Sequence, residues 1–234
     1  MKIINKSTIN SLEKKERDYL ILIDKAKNWT SFDVVKKIRT IGKFKKVGHS
    51  GTLDPFATGL LILATDNETP QLSKLSIENK SYLATIKFGQ ETDTYDLTGK
   101  VVKDKKITSV QKSKIKRVIN SFLGESEQIP PMYSAKKKDG IRLYKLARKG
   151  KDISRNPHKI IIYDIQLISQ HGLELDLFVK CSKGTYIRSL AHDIGQKTSY
   201  GAYLKELRRI EINGYNVNQA LTINEFEDFW ISLN

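Results

Sequence analysis

Twelve residues, KIIIYDIQLISQ (159–170), set apolar side chains in strand-like alternation, and ten more, LELDLFVKCS (173–182), do so again after His171-Gly172. A period of two marks a strand with one buried face, and His-Gly between two such runs supplies a turn. A hairpin this long is marginal on its own and needs a sheet around it. Other segments supply one. RDYLILID (17–24) and GLLILAT (59–65) read as short buried strands, and KSYLATIKFG (80–89) sets Tyr82, Ala84, Ile86 and Phe88 on one face.

Helical spacing interrupts these strands. It runs over TSFDVVKKIRTIG (30–42), with Thr30 or Ser31 as N-cap and Gly42 as C-cap, and over SVQKSKIKRVINSFLG (109–124), closing on glycine. TYIRSLAHDIGQKT (185–198) carries an apolar ridge at Ile187, Leu190, Ala191 and Ile194, and LTINEFEDFWISLN (221–234) reads as a closing helix. ETDTYDLTGKVV (91–102) is polar and turn-rich, which suggests a surface connection leading back into a strand. Irregular interleaving of strand pairs and helices predicts an α+β fold with a mixed, largely antiparallel sheet.

The chain has 41 Lys and Arg against 26 Asp and Glu, a formal net charge of +15. That surplus suits a polyanionic partner, nucleic acid first, with a merely solubilising surface as the bland alternative. It is concentrated between Tyr133 and Lys159, where ten cations (136, 137, 138, 142, 145, 148, 149, 151, 155 and 159) face only Asp139 and Asp152. Apolar residues are sparse there, so the stretch is a solvated flap or a binding arm, and the overall charge favours the arm. One cysteine, Cys181, excludes an internal disulfide and, ending an apolar alternation, reads as a buried structural thiol. The start, MKIINKSTIN, has no apolar core of a signal peptide, and GLLILAT is far too short for a bilayer. The expectation is a cytoplasmic protein with no membrane association.

Several chemistries find no support. Histidines 49, 158, 171 and 192 show no paired spacing, so no metal site is expected. Phosphate-cradling glycine loops and a serine-nucleophile elbow are missing from the sequence, which leaves cofactor-free chemistry or binding. The remaining candidate is Asp54, in GHSGTLDPFATG (48–59). Asp-Pro favours a tight turn, and on spacing alone a plain turn is the better reading. Against it stand Gly48, Gly51 and Gly59, which let a ligand or another backbone come close, and His49, whose ring can stack on a base. A second polar group, CSKGTYIRSLAHDIG (181–195), sets Arg188 near a helix start, where its fork could hold a carboxylate ionised.

Taken in order, LILIDKAKNWTSFDVVKKIR, GHSGTLDPFATGLLILAT, KSYLATIKFGQETDTYDLTG, EQIPPMYSAKKKDGIRLYKLARKG, CSKGTYIRSLAHDIG and GAYLKELRRI resemble the TruB-type tRNA pseudouridine-55 synthases over residues 18–228. The resemblance implies the pseudouridine synthase fold, a tRNA T-arm stem-loop as substrate and no cofactor, and since nothing in the sequence argues for an obligate protein interface the expectation is a monomer. It implies Asp54 as catalytic aspartate, Tyr82 packing on the target base, and Arg188 pairing with Asp54. Tyr186 and Leu207 then line the uracil pocket, His49 stacks in the opened T-loop, and Lys25 lies in a block that contacts the site. Residues 124–158 become a tRNA-clamping insertion, with Lys136, Lys137, Lys138, Arg142, Lys145 and Arg148 as its contacts. Many relatives continue into a PUA domain. The expectation here is a single catalytic domain, 1–234, without one. Pseudouridine synthesis on another RNA loop, and a non-catalytic tRNA-folding chaperone, are the rival readings.

Overall fold

The computed structural model describes residues 2–12 and 16–233, so the expectations touching residues 1, 13–15 and 234 lie outside the described residues. Two compact units make up the chain. One combines the residues up to Tyr82 with those from Leu207 onward, and the other is Leu83–Glu206.

In the first unit the strands order β1 (Lys2–Ile4), β2 (Tyr19–Lys25), β4 (Thr58–Thr65) and β13 (Ala202–Ile212, which enters from the second unit at Leu207), while β3 (Val47–His49) pairs with β4 and β14 (Tyr215–Asn216) with β13. β1–β2 and β4–β13 are parallel, whereas β2–β4, β3–β4 and β13–β14 are antiparallel. The continuous apolar runs of β2 and β4 have a physical reason: both faces are covered. Tyr19, Ile21, Ile23, Leu61 and Leu63 pack with Val34 and Ile38 of α1 (Ser31–Gly42) and with Phe226 and Trp230 of α6 (Ile223–Ser232). Leu20, Leu22, Leu60, Ile62 and Ala64 pack on the other side with Leu75 of α2 (Gln71–Ile77) and with Ile212 and Val217.

Helix α1 starts as its sequence suggests, on a capping box in which the Thr30 hydroxyl accepts from Asp33 N and the Asp33 carboxylate accepts from Thr30 N. Its end differs. Gly42 is the last helical residue and Lys43 takes the left-handed cap conformation, φ 50°. Glycine is needed for space instead, because a Cβ on Gly42 would fall 2.0 Å from the Phe44 ring.

In the second unit β5 (Lys80–Phe88, which enters from the first), β12 (Glu174–Cys181), β11 (His158–His171) and β8 (Gly124–Gln128) lie side by side. The long hairpin pairs Ile165 with Val179 and Leu167 with Leu177, and Leu175, Leu177, Val179 and Cys181 are all buried. β8 adds antiparallel to β11, so residues 124–128 of the segment expected as an insertion belong to the sheet. The rest contains only the two-residue pair β9 (Lys137–Lys138) and β10 (Ile141–Arg142) and the short helix α4 (Leu143–Ala147). Helix α3 (Lys112–Asn120) is shorter than its sequence pattern at both ends, and Ile115 and Ile119 are its buried residues.

One expectation holds only in part. The stretch 91–102 does lead back into a strand, β7 (Val101–Asp104), and is exposed from Leu97 on except at Gly99. Its first half is no surface connection: β6 (Gln90–Thr92) pairs with β7, and Glu91, Thr92, Thr94 and Asp96 are buried. Thr92, Thr94 and Asp96 can be buried here because their polar groups find partners within the stretch. Asp96 Oδ1 accepts from the Thr94 hydroxyl at 2.8 Å and from Thr98 N at 2.9 Å, and Asp93 Oδ1 accepts from Lys100 N at 2.8 Å. Together the two units give the mixed, largely antiparallel α+β architecture. Among the described residues no helix is long and apolar enough to cross a membrane.

Candidate active site

In the first unit the loop between β3 and β4 is pinned on both sides of Asp54. Ahead of it, Leu53 N donates to the Ser31 hydroxyl at 2.9 Å, and that hydroxyl donates to Leu53 O at 3.3 Å. Behind it, Pro55 O accepts from Asn28 N at 2.8 Å and from the Lys25 ammonium at 3.4 Å. Ala57 N donates to Asp54 O at 3.1 Å, closing the turn that Asp-Pro announces. Leu53, Phe56 and Ala57 are buried while Asp54 is only half-buried. The turn is real, with Leu53 before it and Phe56 and Ala57 after it buried and Asp54 left half-buried between them.

Lys25 ends β2 fully buried, donating to Trp29 O at 2.7 Å and Ala26 O at 3.0 Å. Burial pushes its ammonium down to about 8. The Asp54 carboxylate opposes that shift and the Arg209 guanidinium adds to it. His49, mostly buried, accepts from Gly51 N at 3.2 Å, and burial with the neighbouring Arg209 charge keeps its ring below the ordinary histidine range. Tyr82, on β5, is buried with its phenol hydrogen-bonded to Arg209. Leu207 is buried two residues before Arg209 on the same side of β13. Arg208, on the opposite side, grips Asp24 with both Nη atoms at 3.0 and 2.6 Å.

The second unit carries Tyr186, Arg188 and the basic arm. Arg188 is the second residue of α5 (Ile187–Thr198) and is buried, with Nη2 donating to Tyr133 O at 2.8 Å and Nη1 to Thr94 O at 3.2 Å. Asp96 Oδ2 lies 3.4 Å from Nη1. Tyr95 stacks on His192, ring centroids 4.0 Å apart and planes 12° off parallel, which holds residues 94–96 against the same helix. Just before the helix, Tyr186 is read at both backbone groups by Gln128, whose Oε1 accepts from Tyr186 N at 2.8 Å while Nε2 donates to Tyr186 O at 3.1 Å. The Ser189 hydroxyl donates to Ile129 O at 2.9 Å. The root of the arm, 128–134, is thus stitched to the start of α5. Lys136, Lys137, Lys138, Arg142, Lys145 and Arg148 are all exposed.

Three participants in these clusters escape sequence reasoning: Asp96, Gln128 and Arg209. Asp96 hides in a block whose polar composition suggests a surface turn. Arg209 had one signal, since two arginines in succession on a strand must place one of them inward. Among the described residues no group of three or more His, Cys, Asp or Glu could hold a metal ion.

Residues 39–187 match the TruB family pseudouridylate synthase (N terminal domain), and residues 188–233 match the tRNA pseudouridylate synthase B C-terminal domain. The chain belongs to the TruB family. Its relatives named tRNA pseudouridine synthase B include those of Aquifex aeolicus, 46% identical over 212 residues, and Clostridium tetani, 44% identical over 209 residues. Each match takes in 89% of this chain, and 73% and 72% of the respective relatives. The Syntrophotalea carbinolica protein of the same name is 43% identical, over 89% of this chain and 68% of its own length. Among solved structures, a chain of a Cbf5-Nop10-Gar1 complex superposes with TM-score 0.72 at 27% identity, over 94% of this chain. A chain of an H/ACA RNP bound to a substrate RNA containing 2'-deoxyuridine does so with TM-score 0.69 at 26% identity, over 91%. This chain spans 56% and 54% of those two chains.

Proposed function

We propose that this chain isomerises uridine to pseudouridine in tRNA, at position 55 of the T-loop, with Asp54 as the catalytic carboxylate. One observation carries the reading: a loop whose flanking residues are bonded inward at Leu53 and Pro55 leaves Asp54 half-exposed beside the buried Lys25 ammonium. The reaction breaks C1′–N1, turns the uracil, joins C1′ to C5 and releases the C5 proton, while N1 regains one. Atoms and electrons balance without a redox partner, so no cofactor is required. Asp54 acts as nucleophile or as base towards the ribose, and both roles need it ionised. Arg188 pairs with Asp54 and keeps it so, Tyr82 forms a wall against the base, and Tyr186 and Leu207 line the pocket. His49 stacks in the opened loop.

The exposed cations of the arm, Lys136 to Arg148, clamp the phosphates of the T-arm, which makes binding strongly salt-dependent. Flipping the target uridine costs a few kcal/mol, offset by stacking and backbone contacts. The protein acts as a cytoplasmic monomer and as one catalytic domain. Replacing Asp54 by Asn is expected to abolish tritium release from C5-labelled uridine in tRNA while filter binding of the tRNA persists. Undiminished release removes Asp54 from the mechanism. Pseudouridine mapped away from position 55 moves the substrate to another RNA loop, and no release by the unaltered protein favours the chaperone.

A further inference from the structure

Arg209 is a full charge placed where charge is expensive. Its side chain is among the largest that are fully buried in the molecule. Removing a guanidinium from water costs several kcal/mol unless its donors are well used. They are. Nε donates to Leu60 O at 2.7 Å, Nη2 donates to Gly51 O at 3.1 Å, and the Tyr82 phenol is a further hydrogen-bond partner. Its backbone is held as closely as its side chain. Arg209 pairs with Gly59 across the parallel β4–β13 ladder, and a Cβ on Gly59 (φ +106°) would sit 2.2 Å from Arg209 O.

Each partner belongs to a different part of the site. Leu60 lies on the rigid strand β4, Gly51 is three residues before Asp54, and Tyr82 carries the ring assigned to the base. A planar fork with fixed donor directions therefore ties the aspartate loop and the tyrosine to one strand. The geometry points to Arg209 as a positioning residue of the reaction. By holding the Gly51 carbonyl and the Tyr82 phenol together, it sets the distance between the carboxylate of Asp54 and the face on which the uracil stacks. It rests on the functional reading above and adds a residue that does not touch the substrate. Lysine cannot replace it, because an ammonium offers a point charge rather than a fork.

The test is a double-mutant cycle under single-turnover conditions, with tritium release from C5-labelled tRNA as the rate and filter binding as Kd. Arg209→Lys is expected to lower the rate about 100-fold with Kd within about threefold, since a positioning defect falls on kcat rather than on binding. Tyr82→Phe, which keeps the ring and removes the phenol, should lower it about tenfold. The pair together should be no worse than about threefold below Arg209→Lys alone, because both break the same link. Full multiplication of the two effects overturns the proposal, as does a rise in Kd that accounts for the rate loss. Should Arg209→Lys fail to fold, Tyr82→Phe still decides: a rate within about twofold of the unaltered protein overturns the link. An unaltered protein that releases no tritium refutes the proposed function instead, so the two failures are distinct.

Discussion

Ser31→Ala tests how much the mount of Asp54 depends on one hydroxyl. Ser31 and Leu53 are 2% and 3% exposed, so water cannot replace the bonds that the substitution removes. Two are lost, the 2.9 Å bond from Leu53 N and the 3.3 Å bond to Leu53 O. The second is long and contributes little. The first leaves a buried N–H unsatisfied, which costs about 1–3 kcal/mol. The start of α1 is not at stake, because Thr30 and Asp33 provide the capping box and alanine suits the first helical turn. A total near 2 kcal/mol is expected, a fall in Tm of about 4–8 °C for a chain of this size. The loop it frees is the one carrying Asp54, so the single-turnover rate should fall about 10- to 100-fold with Kd for tRNA nearly unchanged. Thermal melts and tritium release read both. A Tm within about 1 °C and a rate within about twofold would refute the reasoning, because the hydroxyl would then hold nothing.

Two predictions concern pH. Lys25 is charged below about 8 and discharged above it, so the single-turnover rate should fall as pH rises through that value and Asp54 loses its neighbouring cation. Lys25→Met should show a lower plateau without that limb, and a limb unchanged in the variant refutes the assignment. Asp193 is pushed up to about 6, chiefly by burial and against the pull of Lys197. A raised carboxyl costs stability while ionised, and the cost fades as pH falls from about 6 towards its ordinary value near 4. After discounting for partial exposure, Asp193→Asn should add about 1 kcal/mol, or 2–4 °C in Tm, at pH 8 and almost nothing near pH 4. Equal gains at both pH values would contradict the burial argument.

Where periodicity is strong the fold was legible. The hairpin at 159–182, the two-sided strands at 19–25 and 58–65, and the ridge of α5 lie where their spacing puts them. What escaped has a common cause: it depends on groups that meet only after the chain has folded. The burial of Asp96 requires Thr94 and Thr98 to satisfy its carboxylate, and nothing in the spacing of TDTYDLTG says they will. Gly42 reads as a cap by habit of position, whereas Phe44 is what requires it. Asp54 lies between these cases. Its turn is written in Asp-Pro, but the bonds that hold its neighbours come from Lys25, Asn28 and Ser31, about 22 to 30 residues upstream.

The make-up of the first unit bears on how the protein is born. Its strands β2 and β4 emerge early from the ribosome, whereas the residues from Leu207 onward follow only after the second unit, Leu83–Glu206, has been synthesised. At about 5–20 residues per second that wait lasts roughly 6–25 s. Throughout it Leu61, Leu63 and Ile38 lack Phe226 and Trp230, and the Gly51 carbonyl lacks the arginine that holds it. The nascent chain therefore passes a long interval with apolar strands incompletely covered and with the aspartate loop held only by its upstream ties to Lys25, Asn28 and Ser31. The segment from Leu207 onward completes the core and adds the arginine tie to the aspartate loop, so a ribosome that stalls short of it leaves a chain with apolar strands open to aggregation.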